Sequence, residues 1–468
     1  MKKYMPNFTK LFIVLLVLLG GTAHWSVDTT QAQNSVGKEN VESQLLIEFE
    51  NIREENDIKS FLNSLQPEVE TVEIEEINVM KVQASSAKQK ELIEKHLKQT
   101  FHLDSDQLGD EERVTLETSA ERVPMQTVQT NSMSFLRNAQ WDIEAVTNNG
   151  ESHHLQKGSH DVKIGLIDSG VDFQHPDLMK NIVGPGKSFV PGIEDTQDVL
   201  GHGTMVAGAI AADGEQIGVG PELGIVPYKV FHDGSADSFW IIQAIVEAAN
   251  DGMDVINLSL GTYKSPKNKE DKMVIKAYEK AVKYAKKHGV FVVASAGSSG
   301  YDISRPFDQN EDIQDVIHLP GGMKDVFTVA ATTKENTMAS YSNYGKNVDM
   351  GAPGGDYGVN FKEEQVFDIQ SMILTTYPIQ IPQSIFATYL GIPQGYDFSA
   401  GSSLASPKVA ATAGLIIEEY KDKHGKKPSL NKIEKTLIKG AEENETARKN
   451  KQFKHGIVNA YQSLQLVK

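Results

Sequence analysis

Cysteine is absent from all 468 residues. That excludes disulfide staples, thiolate catalysis and thiolate metal sites together. Stability must come from the core, from bound ions, or from both. Basic residues are in deficit: 46 lysines and arginines face 63 aspartates and glutamates, a net charge of −17. Such a surface repels polyanions, which argues against nucleic acid or a membrane surface as the main partner. Long apolar runs are scarce too. The stretch Leu11–Leu19 (LFIVLLVLL) is nine residues long, whereas a membrane-crossing helix takes about 20. Lys2, Lys3 and Lys10 give it a cationic start, Gly20 and Gly21 break it, and small-residue sites ending at Ala23 or Ala32 follow. That layout reads as an export signal over 1–32, with a secreted, extracellular product that keeps no membrane contact once the signal is cut.

What is present changes texture along the chain. From Val41 to Ala120 there are 19 acidic and 8 basic residues, a net of −11, so most of the imbalance lies there. Within it, "LLIEFE" and "VETVEIEEINVMKVQA" alternate as strands do, while "EENDIKSFLNSL" and "AKQKELIEKHLKQ" have helical spacing. The order predicts a small α+β unit, β-α-β-β-α. "HLDSDQLGDEERVTLETSAERV" follows as an exposed acidic linker.

From about Gln140, apolar β-branched runs ("VKIGLI", "IVPYKVF", "MDVINLSL", "GVFVVASA", "DVFTVAA") alternate with helical patterns ("WIIQAIVEAAND", "MVIKAYEKAVKYAKKHG"), the latter stopped by Gly289. Near-continuous apolar strands alternating with helices predict an α/β domain with a buried, mostly parallel sheet covered on both faces. Chemistry in such sheets gathers at the carboxyl ends of the strands.

Three segments there sit at element boundaries. "IGLIDSGVDFQHPDL" puts Asp168 at a strand end, "GHGTMVAGAIAA" puts His202 between two glycines at a helix start, and "GSSLASPKVAATAGLIIEE" puts Ser403 at another, with Pro407 read as lying in its first turn. Each alone has an ordinary explanation as a turn former, a core histidine or a capping serine. Together they supply what an activated hydroxyl needs. A serine needs a base to take its proton, imidazole titrates near neutrality, and a buried carboxylate fixes its tautomer.

With "LIDSGVDFQHPDL", "GHGTMVAG", "GSSLASPKVAATAGL", "VINLSLG" and "HGIVNAYQSL" in the order Asp, His, Ser, the chain from Gln140 onward resembles the subtilisin family of serine proteases. Within it the chain is most similar to the lantibiotic (epidermin-type) leader-peptide processing proteases, through the looser "QWDIEAVTNNGESHHLQKGS". The resemblance implies a subtilisin-like three-layer fold over 123–468 and a ferredoxin-like α+β prosegment with its acidic linker over 33–122. It implies a zymogen that the prosegment inhibits, and a monomer that hydrolyses peptide bonds through an acyl-enzyme.

The same resemblance assigns residues. Asp168, His202 and Ser403 would be the triad, with Ser402 and Ser406 structural. Ser259, Leu260 and Gly261 would form one substrate rim and Gly234, Ser235 and Ala236 the other. Ser295, Ala296 and Gly297 would wall the pocket for the residue before the cut. At the next position the family has an asparagine that donates to the oxyanion; this chain has Ser298. Asp177 and Glu215, with the carbonyls of Asp213, Ile217 and Val219, resemble a calcium site; no cofactor is expected for the catalysis itself.

A leader-processing protease of this type cuts after arginine. Arg122, alone among arginines between Arg113 and Arg137, marks an expected self-cleavage point. Asp308, Glu311, Asp312 and Asp315 offer acid for an arginine pocket. The expected substrate is a lantibiotic precursor leader. A broad degradative subtilisin and a catalytically impaired peptide-binding pseudoprotease remain the alternatives.

Overall fold

The computed structural model describes residues 43–104, 106–111, 113–116, 136–137, 139–304, 316–361 and 367–468. Its centre is a seven-stranded sheet. The strands run, edge to edge, Met350–Pro353, Phe327–Thr332, Phe291–Ser295, Val255–Leu258, Lys163–Asp168, Gly224–Lys229 and Lys187–Ser188. Every pairing between neighbours is parallel. Alternation along a strand divides its side chains between two cores. Ile256 and Leu258 face helices Ser238–Asn250 and Lys269–Lys287. Val255, with Ile164, Leu166 and Val293, faces helices His202–Ala211, Ser402–His424 and Leu430–Gly440. Both faces are thus dry, which is why the strands read as unbroken apolar runs.

Helix Lys269–Lys287 shows how local sequence sets an element. Met273, Val274, Ala277, Tyr278, Ala281, Val282 and Ala285 make its buried stripe, the Asn268 side chain caps its start, and Lys286 and Lys287 lie against its negative end. Gly289 then turns out at φ +82°, the left-handed stop the sequence predicts.

The acidic N-terminal stretch folds as the sequence predicts and goes one strand further. Strands Gln44–Glu48, Glu70–Ile74, Val79–Gln83 and Leu108–Asp110 form an antiparallel sheet in which the first strand lies between the third and the fourth. Helices Ile52–Asn63 and Ala87–His96 accompany it. The fourth strand, and Arg113–Thr115 after it, lie in the stretch read as linker. The apolar residues that order it (Leu108, Val114, Leu116) are sparse but all buried. One face of this sheet holds a private core of Leu45, Ile47, Met80 and Val82. The other contributes Leu46, Ile74, Ile77 and Val79 to the core under helices Ser238–Asn250 and Lys269–Lys287. Glu48 adds ion pairs to Lys276 (2.6 Å) and Lys280 (2.5 Å).

Pro407 departs from the expectation. It is the sixth residue of helix Ser402–His424 and therefore lies past the first turn. A proline there has no N–H for the carbonyl four residues back, which is that of Ser403. The Ser259 hydroxyl fills the gap, donating to the Ser403 carbonyl at 2.7 Å.

One residue further on, the fully buried Lys408 pairs with the buried Asp142 of helix Trp141–Thr147 at 2.8 Å. Burial pushes the ammonium pKa down, and the Asp142 carboxylate opposes that shift. Removing one partner of such a pair leaves a lone charge in the core, at a cost of about 3–5 kcal/mol. Asp142→Ala is therefore expected to lower the guanidinium midpoint markedly. Asp142→Ala with Lys408→Met, which removes both charges, should recover most of the loss.

Candidate active site

Asp168 is the last residue of the strand Lys163–Asp168 and is fully buried. Its Oδ1 accepts the Ser169 N–H at 2.7 Å and lies 2.7 Å from His202 Nδ1. His202 opens helix His202–Ala211. The flanking glycines are there for close approach, as the sequence predicts, but the neighbours are the protein's own. A Cβ on Gly203 would strike the Gly170 carbonyl, and one on Gly201 (φ +99°) the Tyr377 ring.

Two residues that sequence reasoning missed hold this turn. Asp198 Oδ1 accepts from Ser169 Oγ and from the N–H groups of Leu200 and Gly201, all at 2.9 Å. Its Oδ2 accepts from Thr204 N–H (2.9 Å) and Thr204 Oγ1 (2.7 Å). It thereby binds the amides that begin the histidine's helix. Nothing local in the sequence separates this aspartate from an ordinary turn former. Lys229 ends its strand fully buried and donates to the carbonyls of Ser169 (2.7 Å) and Gln197 (2.8 Å). Burial lowers its pKa against the pull of Asp198, Asp195 and Asp168.

Ser403 is the second residue of its helix, and its Oγ donates to the Ser259 carbonyl at 3.2 Å. That helix and the histidine's pack together. Leu404 and Met205, in their first turns, share one apolar cluster with Trp141 and Ile373. The helices that begin with the imidazole and the hydroxyl therefore pack on one face of the parallel sheet, with the Asp168 carboxylate against the imidazole.

Around them, Ser259 closes a small hydroxyl network with Ser406 (3.0 Å). Ser298 Oγ lies 3.0 Å from Ser402 Oγ and accepts the Ser402 N–H at 3.3 Å, one residue short of Ser403. Ser295 ends its strand, Asn343 Nδ2 holds the Ala296 carbonyl at 2.8 Å, and Gly297 sits at φ +96° with Asn343 where a Cβ would go. The stretch Gly234–Ala236, expected as a substrate rim, is paired: Ser235–Asp237 runs antiparallel to Arg113–Thr115, and Leu116 N–H donates to the Gly234 carbonyl at 2.8 Å. The other rim, Ser259–Gly261, leads from the strand Val255–Leu258 into Thr262–Lys264. Arg122, Asp308, Glu311, Asp312 and Asp315 lie outside the described residues.

Most of the groups expected to hold calcium have protein partners. Asp177 Oδ1 accepts from Glu215 N–H (3.2 Å), and its Oδ2 from Gln216 N–H (2.9 Å) and the Tyr396 hydroxyl (2.7 Å). The Val219 carbonyl lies 3.1 Å from His153 Nε2. Glu215 pairs with Arg137 at 3.8 Å, and Asp213 with Lys180. No group of three metal-ligating side chains occurs among the described residues. A calcium ion takes six to eight oxygen ligands, so binding here would displace or share these contacts. Chelator is expected to leave the melting temperature within about 1 °C; a fall of several degrees would reinstate the ion.

The subtilase family model matches residues 159–457. The chain is 31% identical over 360 residues to the epidermin leader peptide-processing serine protease of Staphylococcus epidermidis, covering 71% of this chain and 76% of that one. It is 32% identical over 323 residues to the nisin leader peptide-processing serine protease of Lactococcus lactis, covering 63% of this chain and 46% of the relative. A crystal structure of the epidermin leader peptide processing protease of Staphylococcus aureus superposes with TM-score 0.72 at 26% identity, over 91% of this chain and 99% of that one. The sheet, the ordered turn at its carboxyl edge and these matches agree: this chain belongs to the subtilase family and is a serine endopeptidase.

Proposed function

We propose that the chain is a secreted zymogen whose mature form removes the leader of a lantibiotic precursor by cutting after arginine, with Asp168, His202 and Ser403 as its triad. The observation that carries the reading is the 2.7 Å contact between the buried Asp168 carboxylate and His202 Nδ1, with Ser403 on the neighbouring helix start. Ser403 Oγ attacks the scissile carbonyl and passes its proton to His202 Nε2, while Asp168 steadies the imidazolium. The Ser403 N–H, at the positive end of its helix, faces the developing oxyanion. His202 then protonates the leaving amine, and water repeats the sequence on the acyl-enzyme.

Substrate would lie as an extended strand between the two rims. The antiparallel pairing of Arg113–Thr115 with Ser235–Asp237 supports both that geometry and inhibition by the chain's own prosegment. Glu111 reinforces it by accepting the N–H of Phe239, in the first turn of helix Ser238–Asn250, at 3.1 Å. Relatives that process epidermin and nisin leaders support the substrate class. Against a leader-bearing precursor, one cut after a leader-terminal arginine is expected, with casein left largely intact. Indiscriminate casein hydrolysis would favour a degradative enzyme.

One observation favours a second reading, an impaired protease. The Ser298 hydroxyl is tied to Ser402 where the family has an oxyanion donor. Losing that donor costs on the order of 10²–10³ in turnover in subtilisin itself. Ser298→Asn is expected to raise kcat by at least about tenfold with little change in KM. An unchanged kcat would mean that Ser298, directly or through water, already supplies the contact.

A further inference from the structure

A buried cation that acyl transfer does not use lies beside the Asp168 carboxylate. Asp168 and Lys229 are register partners in neighbouring strands of the parallel sheet. The alternation that sends Ile164, Leu166 and Ile225 into the core under helix His202–Ala211 puts both side chains on that same face. Both residues are 0 % exposed. The Lys229 ammonium donates to the carbonyls of Ser169 (2.7 Å) and Gln197 (2.8 Å). Two neutral carbonyls ask only for N–H or O–H donors. Burying a full positive charge to supply them costs more than those contacts need.

Asp168 is where that charge has work to do. Its Oδ1 takes the Ser169 N–H and faces His202 Nδ1, while Oδ2 is buried with no hydrogen-bond donor. The carboxylate favours the protonated imidazole, and a base that holds its proton cannot accept one from serine. A cation nearby acts in the opposite sense on both partners: it keeps the carboxylate ionised and disfavours the imidazolium. The other charges around Lys229 are few. Burial lowers its pKa, and Asp198, Asp195 and Asp168 oppose that shift. His232 and Asp233 follow the end of its own strand, and on the far side its register partner is the uncharged Ser188.

We infer that Lys229 is a positioning residue for the base, its buried charge offsetting part of the pull of Asp168 and Asp198 on His202. Nε2 then stays free of a proton down to lower pH than the carboxylates alone would allow. The inference rests on the triad reading above, and it assigns the acid limit of activity to a residue outside the triad.

The rate constant for labelling of Ser403 by a fluorophosphonate, followed against pH, tests this without a peptide substrate. Its acid limb is the range in which labelling slows as His202 takes up a proton. Lys229→Gln keeps N–H donors for the two carbonyls and drops the charge, Lys229→Met drops both, and Lys229→Arg keeps the charge. The rate constant is taken from the protein that labels, so a smaller folded fraction lowers the amplitude and leaves the limb in place. Both neutral variants are expected to move the acid limb up by about one pH unit, which is about tenfold slower labelling below it. Lys229→Arg should leave the limb near that of the unaltered enzyme. An unmoved limb in Lys229→Gln, or one moved as far by Lys229→Arg, overturns the inference while the triad reading stands. Labelling that ignores the loss of His202, or maps away from Ser403, overturns the triad reading and this inference with it. A second measurement needs no variant. With lysine isotopically labelled at Nζ, nuclear magnetic resonance should show a buried ammonium with slowly exchanging protons at neutral pH; a neutral amine overturns the inference as well.

Discussion

Ser403→Ala is expected to lower kcat by on the order of 10⁶, the loss that removing the nucleophile causes in subtilisin, a relative of this chain. The hydroxyl is the proposed acyl carrier, at the start of its helix and bonded to the Ser259 carbonyl. Without it His202 has no proton to collect. What remains is substrate binding and oxyanion stabilisation, worth on the order of 10³–10⁴ over water. The fold should survive, because Ser403 contributes no apolar volume and the helix keeps Leu404, Ala405 and Val409 in its cores. If the prosegment is removed by this same site, the variant should also stay at full precursor length, and added active enzyme should shorten it. A variant that keeps even a thousandth of the turnover would place the nucleophile elsewhere.

Asp168→Asn is the second large effect, a loss of about 10⁴ in kcat with melting little changed. In the proposed triad the carboxylate, which accepts from Ser169 N–H, holds Nδ1 of His202 protonated, so the role of base falls to Nε2. An amide at that position can turn its NH₂ toward the ring. The ring would then carry its proton on Nε2 and could not accept one from serine. The change touches no apolar contact, so the damage should fall on kcat and spare KM and fold. A loss under about tenfold would mean that Asp168 serves only as a turn former, the ordinary role of a strand-end aspartate.

Much of this architecture was legible in the chain because it depends on local chemistry. Apolar runs such as "VINL" and "FVVAS" need both faces covered, and they form the inner strands. The three residues proposed as the triad stand out in the sequence because they carry flanking glycines and serines whose backbone requirements are written beside them. What escaped depends on residues far apart in sequence. Asp198 and Lys229 have no local signature that separates them from a turn aspartate and a strand-end lysine; their roles exist only once residues 168, 198 and 229 meet. The strand Leu108–Asp110 hid in acid because one buried leucine and a partner strand suffice to order it. The calcium expectation turns on contacts equally remote in sequence. Asp177 was in place, but Tyr396 reaches its carboxylate from 219 residues away. Pro407 taught the same lesson in reverse: its misfit with the helix is absorbed by Ser259, 144 positions before Ser403.

The most direct test is covalent. Mature enzyme treated with a fluorophosphonate should gain one adduct, mapped by peptide mass spectrometry to Ser403. Its formation should be slowed by orders of magnitude in His202→Ala and abolished in Ser403→Ala. An adduct on another serine, or equal labelling without His202, would contradict the assignment of a base-activated hydroxyl at the start of that helix.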